Sequence, residues 1–272
     1  MSDVRMMTPR GIELAGTFIA PVDSRDAAVL FAHGFLTDRH SLGWFDQFGA
    51  RYRASGYATM AFDFSGCGAS DDDVVTIDRE VEDLRSVASW LADEGYSRIV
   101  IHAHGTGAQA ALKARPQAAC ALVATSPVIE PRSIEWDQVF SPTQLDQLES
   151  HGHTAIPNDA PLAPVSRIAG PAERRERYII SKQTLHDLSL AEPGPLLAGL
   201  TIPTLFLFDE VDVERGLAPL SEEARAHLPE NAKEAVLAHA RFSGGAEAPD
   251  SGLEDEWAEA LEWVSRYTPV RA

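Results

Sequence analysis

Over the first 125 residues short apolar runs alternate with amphipathic segments, which predicts a largely parallel sheet with helices packed against it. "GIELAGTFIAP" (11–21) alternates as a strand, and "AAVLFAHG" (27–34) is a buried apolar strand ending on His33-Gly34. "LGWFDQFGARYRASG" (42–56) has helical spacing and stops on Gly56, and "YATMAFDFSGCG" (57–68) is the next strand. The clearest amphipathic helix is "TIDREVEDLRSVASWLADE" (76–94), with Val81, Leu84, Val87, Ala88 and Leu91 on one face. Then come a buried strand "RIVIHAH" (98–104), a helix "GTGAQAALKAR" (105–115) and another buried strand "AACALVATSP" (118–127).

The pattern breaks near Ser126. Prolines and polar turns ("NDAPLAP", "AEPGP") then mix with the helical pieces "SPTQLDQLES" and "ERRERYIISKQTLHDL". Regularity resumes with the strand "IPTLFLFDE" (202–210), the helix "LSEEARAHL" (220–228), the strand "KEAVLAHA" (233–240) and the closing helix "LEDEWAEALEWVSRY" (253–267). The expected organisation is one core built from 1–127 and 200–272, with 128–199 inserted as a lid. Uniformly apolar strands imply helices on both sheet faces.

Composition narrows the function classes. With 41 acidic against 23 basic residues, the net charge of −18 disfavours nucleic acid and anionic membranes as partners. Two cysteines, Cys67 and Cys120, make no disulfide framework. "MSDVRMMTPRG" lacks the apolar core of a signal peptide, and no apolar run nears the roughly 20 residues of a membrane span. A cytoplasmic protein with a small-molecule ligand or substrate is expected. Its oligomeric state is not legible.

Five stretches in order then resemble the α/β-hydrolase superfamily, and most the feruloyl- or cinnamoyl-esterase-like branch. They are "HGF" (33–35), "FDFSGCGAS" (62–70), "IVIHAHGTGAQAAL" (99–112), "IPTLFLFDEVD" (202–212) and "LAHARF" (237–242). The resemblance implies the α/β-hydrolase fold: a mostly parallel central sheet, helices on both faces and an inserted lid. It also implies an oxyanion hole made by the backbone N–H groups of Phe35 and Thr106, donors that do not depend on side-chain identity. A helix N-terminus after Gly105 favours negative charge there.

The family's nucleophile turn, G-x-S-x-G, falls on Ala103-His104-Gly105-Thr106-Gly107, so Gly105 stands where the serine belongs. The family acid matches Asp212. The family histidine, which precedes an aromatic residue, matches Arg241 before Phe242. Glycine offers no nucleophile, and arginine stays protonated at neutral pH, so ordinary serine hydrolysis is not expected. Arg241 with Asp212 would form an ion pair or clamp an anionic substrate group; a loop shift would bring His239 to that place instead.

Thr106, one residue past the turn, should point away from the pocket, and Cys67, on the loop after "FDF", reads as a small, partly buried thiol. His33, His102 and His104 come from adjacent strand ends. His33 and His104 match histidines of metal-free relatives, so no metal and no cofactor is expected. His151 and His153 belong to the lid's surface. The expected functional residues are therefore His102, His104 and His239 with Asp212 as proton carriers, and Phe35, Arg241 and Trp136 as substrate contacts, with Phe140 and Tyr178 as further lid aromatics. Three functions stay open. One is a non-hydrolytic enzyme (lyase, isomerase, dehydratase or cyclase) acting on a carbonyl- or carboxylate-bearing molecule. The others are a non-catalytic ligand-binding descendant, and a weak esterase using water or a displaced nucleophile.

Overall fold

A computed structural model describes residues 2–22, 26–158, 175–237 and 250–271. Its eight-stranded sheet has the order β1-β2-β4-β3-β6-β7-β10-β11. The strands are β1 (Ser2–Met7), β2 (Glu13–Ile19), β3 (Ala27–Ala32), β4 (Ala58–Phe62), β6 (Arg98–His104), β7 (Ala119–Thr125), β10 (Thr204–Asp209) and β11 (Ala232–Leu237). From β4 across to β11 every pairing is parallel; β1 and β2 add an antiparallel edge. This is the α/β-hydrolase fold. The pattern of 2–7, Ser-Asp-Val-Arg-Met-Met, did not single out β1, because only Met6 of that edge strand is buried.

Strand alternation sorts the core into two layers. On one face Leu30, Ile101, Phe206 and Phe208 pack with Leu84 and Leu91 of α2 (Ile77–Asp93) and Leu112 of α3 (Thr106–Ala114). On the other, Val29, Phe31, Val123 and Leu207 pack with Phe48 and Tyr52 of α1 (Trp44–Ala54) and Trp263 of α10 (Asp250–Tyr267). Helix α2 buries the predicted face, and its Thr76 side chain caps it by accepting from Arg79 N–H. It also buries Glu80 and Asp83, which the apolar pattern did not foretell.

Between β7 and β10 lie α4 (Trp136–Val139), α5 (Pro142–His151), β8 (His153–Pro157), β9 (Arg177–Ser181), α6 (Lys182–Ser189) and α7 (Pro193–Leu197). Strands β9 and β8 form a small second sheet with β5 (Val74–Val75) of the core segment. The stretch read as helical over 173–188 is divided in its described part, from 175 on: "RYIIS" is a strand, its burial alternating along the β-branched and aromatic run, and the residues after it are helical. Phe140, Leu148 and Ile180 make a satellite core there, against which Phe35, Leu36 and Trp136 pack. After β10 come α8 (Glu210–Glu214) and α9 (Glu222–Ala226). Among the described residues no helix is long and apolar enough to cross a membrane.

Candidate active site

The carboxyl ends of β3 and β7 flank Gly105, the turn from β6 into α3. Its φ of +56° and ψ of −119° lie in a region that side chains disfavour. Gly105 N–H donates to Thr125 O (3.0 Å) and Gly105 O accepts from Val128 N–H (3.2 Å), so the strained turn is held from β7 and the residues after it. Among the described residues a Cβ built on Gly105 would meet only Gly34 Cα, at 3.7 Å. The turn therefore has room for a side chain and carries none. Gly107 differs: a Cβ there would lie 2.3 Å from His33 O and 2.5 Å from Ala32 O, because α3 is pressed onto the end of β3.

That close approach sets the loop after β3, bearing Phe35, beside the first turn of α3, bearing Thr106. The N–H groups of a helix's first turn have no acceptor within the helix, which makes this end a natural seat for negative charge. The β3 loop is braced from below. His33 accepts from Phe64 N–H through Nε2 (3.0 Å). The buried Asp63 accepts from Arg39 N–H (2.7 Å), Ala69 N–H (2.9 Å) and the Arg39 guanidinium. The Thr106 hydroxyl is buried, without a hydrogen-bond partner among the described residues. Phe35 and Trp136 share the apolar cluster formed with the inserted segment. Of the further lid aromatics, Tyr178 is buried in the main core and Phe140 in the satellite core.

Asp212 is buried at the third position of α8, where it completes a reciprocal cap with Asp209: each side chain accepts from the other's N–H. Asp212 Oδ2 also accepts from Ser126 Oγ at 2.6 Å, while Oδ1 has no hydrogen-bond partner among the described residues. Burial raises the Asp212 carboxyl from its ordinary value, and the Asp209 charge adds to this; the Ser126 hydroxyl and the Asp209 N–H oppose it. Ser126 adopts φ +43°, a left-handed conformation uncommon for serine, directly after the Thr125 that holds the elbow. Sequence reading treated Ser126 only as the start of the insertion and missed its role. The Asp209-x-x-Asp212 cap was legible as an acid three residues after an N-cap acid.

His102 is a correction. Its place on β6 directs it to the α1 and α10 face, among Phe31, Trp44, Phe48 and Tyr52, with Tyr52 Oη 3.1 Å from Nδ1. It is fully buried and its pKa falls to about 3, chiefly through burial, so it moves no proton at the elbow. His104 shares that face, its ring beside Trp44 and its Nδ1 3.1 Å from Thr125 Oγ1; burial and the nearby His33 lower its pKa to about 4. His33, His102 and His104 thus have separate partners, and among the described residues no group of three His, Cys, Asp or Glu converges to hold a metal. Cys67 is buried and its thiol is raised, first by burial and then by Glu80 and Asp63, leaving it protonated and inert. His151 and His153 are exposed. His239 and Arg241 lie outside the described residues.

A family model described as the alpha/beta hydrolase family matches residues 29–271. No match was found among curated protein sequences. Among solved structures the chain is similar to DcsB, determined in complex with its substrate analogue (TM-score 0.72, 17% identity, covering 98% of this chain and 99% of that one). It is likewise similar to the alpha/beta hydrolase GrgF from Penicillium sp. sh18 (TM-score 0.72, 16% identity, 98% of each chain). A third is the Pyrococcus furiosus esterase Pf2001 (TM-score 0.63, 19% identity, 98% of this chain and 92% of that one).

Proposed function

We propose that this chain, which belongs to the alpha/beta hydrolase family, uses the family's oxyanion hole without its serine, as a non-hydrolytic enzyme acting on a small carbonyl-bearing molecule. The observation that carries this reading is Gly105, which keeps the elbow conformation with space above it and no nucleophile. A substrate carbonyl oxygen would take N–H donation from Phe35 and Thr106, and the space at Gly105 would receive the adjoining carbon. Asp212 Oδ1 then removes a proton from the carbon next to the carbonyl. The C–H bond breaks, its electron pair passes into the carbonyl to give an enolate, and the proton resides on Asp212. Return of that proton to another carbon, or loss of a neighbouring leaving group, completes an isomerase- or dehydratase-type reaction. Burial raises the Asp212 carboxyl from its ordinary value, which makes its carboxylate a stronger base for this exchange. The 128–199 insertion serves as the lid, and the esterase-like branch is this reading's placement within the family, supported by the five motifs.

The test is solvent deuterium exchange at the carbon next to the carbonyl, followed by NMR for pyruvate, 2-oxobutanoate and levulinate. Exchange above the buffer rate, lost in Asp212→Asn, is expected; none above that rate for any member overturns the reading. The esterase named among the structural neighbours favours a second reading, ester hydrolysis by a water held at Gly105.

A further inference from the structure

We infer that a binding site for a single water molecule is built between α1 and the sheet, on Thr17 Oγ1 and His40 Nε2, and that this water ties the loop beginning at Phe35 to β2.

A cavity of about 20 Å³ lies there. Its floor follows from strand register. Thr17 of β2 stands beside Ala61 of β4, and Ala61 beside Phe31 of β3, so the three share one face of the sheet. The next residue, Phe18, packs against Trp90 and Tyr96 in the opposite layer, which turns Thr17 toward α1. The roof is His40 with Asp46, Gly49 and Arg53 of α1, and small Gly49 and Ala61 leave the room.

Thr17 is 7% and His40 5% exposed, and neither Thr17 Oγ1 nor His40 Nε2 has a hydrogen-bond partner among the described residues. The other polar groups around the cavity are paired: His40 Nδ1 lies 3.1 Å from Asp46 Oδ2, and Arg53 Nη1 donates to Thr59 Oγ1 (2.9 Å). Two buried polar atoms on one cavity call for an occupant that serves both.

Size and chemistry select water. The volume exceeds the roughly 10–15 Å³ that one water requires and is too small for a polyatomic ion or an organic ligand. Because Asp46 takes Nδ1, His40 Nε2 is an acceptor in the neutral ring and a donor in the protonated one. Water answers both states; a halide needs the donor and a metal ion the acceptor. Asp46 and Arg53 border the cavity with opposite charges, which favours a neutral guest. His40 closes the loop that Phe35 opens, so a water shared with Thr17 adds a hold on β2 to those that Asp63 and Asp46 give this loop.

The test is a high-resolution crystal structure of the full-length protein, with bromide- and rubidium-soaked crystals alongside. A double-mutant cycle of Thr17→Val and His40→Phe, read by calorimetric melting, accompanies it. One water peak within about 3.2 Å of both Thr17 Oγ1 and His40 Nε2 is expected, without anomalous signal in either soak. The Tm loss of the double variant should fall short of the two single losses summed by about 2 °C or more, because the second substitution removes an atom already deprived of its bridge. An empty cavity, a direct Thr17–His40 hydrogen bond, or a bromide or rubidium site overturns the inference. Losses that simply add in folded variants overturn it as well. Should a variant fail to fold, the water peak of the parent decides alone.

Discussion

Ser126 donates a 2.6 Å hydrogen bond to the carboxylate of Asp212. The hydroxyl therefore lies at the end of β7, on the acid, while the elbow one strand away carries only Gly105. This bond holds down a carboxyl that burial pushes up. Removing it in Ser126→Ala should raise the Asp212 pKa further, read by carboxyl ¹³C NMR titration with Asp212→Asn as assignment control. The pH at which any Asp212-dependent exchange reaches half its maximum should rise in step. An unchanged or lowered pKa would show that the serine does not tune the acid.

Two glycines two residues apart should lose stability to very different extents. Gly105→Ser places a side chain in open space, so its cost is backbone strain alone, about 1–2 kcal/mol, or a Tm loss of a few degrees. Gly107→Ala drives a methyl into two β3 carbonyl oxygens and should cost about 3 kcal/mol or more. Calorimetric melting checks both, and a Gly105→Ser loss equal to that of Gly107→Ala would contradict the elbow geometry.

Acid sensitivity should trace in part to His102. Its folded pKa of about 3 lies below the ordinary 6.5, so the unfolded chain binds the extra proton first. The stability it contributes is complete above pH 6.5 and is lost as pH falls toward 3, by up to roughly 1.4 kcal/mol per pH unit. His104, lowered to about 4, adds to the same limb. The pair His102→Phe with Tyr52→Phe removes both partners of one buried hydrogen bond, so it should be near neutral at pH 7.5 and flatter in acid. Urea unfolding from pH 4 to 8 measures this; an acid limb as steep as the parent's would refute it. Ligand binding should be unaffected, because this histidine does not face the elbow.

Glu256 on α10 is buried, with Oε2 accepting from Trp44 Nε1 (3.1 Å) and Oε1 unpartnered among the described residues. Burial raises its pKa well above the usual value. The penalty of holding it protonated grows as pH rises from about 4.5 toward that raised value, because only the unfolded chain ionises there. Glu256→Gln keeps an acceptor for Trp44 and should gain on the parent as pH rises, by about 3 °C or more in Tm at pH 8 relative to pH 4. A constant difference across that range would contradict the assignment.

Much of this molecule is written in its hydrophobic periodicity. Val81, Leu84, Val87, Ala88 and Leu91 line up as the buried face of α2, and the β6–Gly105–α3 turn follows from one apolar run meeting two glycines. Strand β1 escaped because an edge strand buries too little to show a period. The face reached by His102 was open because alternation places His102 and His104 together without saying on which side; the partners Phe31 and Tyr52 decide that. Ser126 was illegible for a different reason. Its role comes from the meeting of the end of β7 with α8 in space, and no local pattern encodes that meeting.

The central claim is that Gly105 is a true elbow whose chemistry is dismantled, and one assay tests it most directly. Hydrolysis of 4-nitrophenyl acetate, with fluorophosphonate labelling in parallel, should be compared among the parent, Gly105→Ser, Arg241→His and the double variant. The account predicts that the parent is neither labelled nor hydrolytic above background, and that activity with labelling emerges in the double variant alone. A parent that is labelled, or that hydrolyses the ester as well as the double variant, would contradict it.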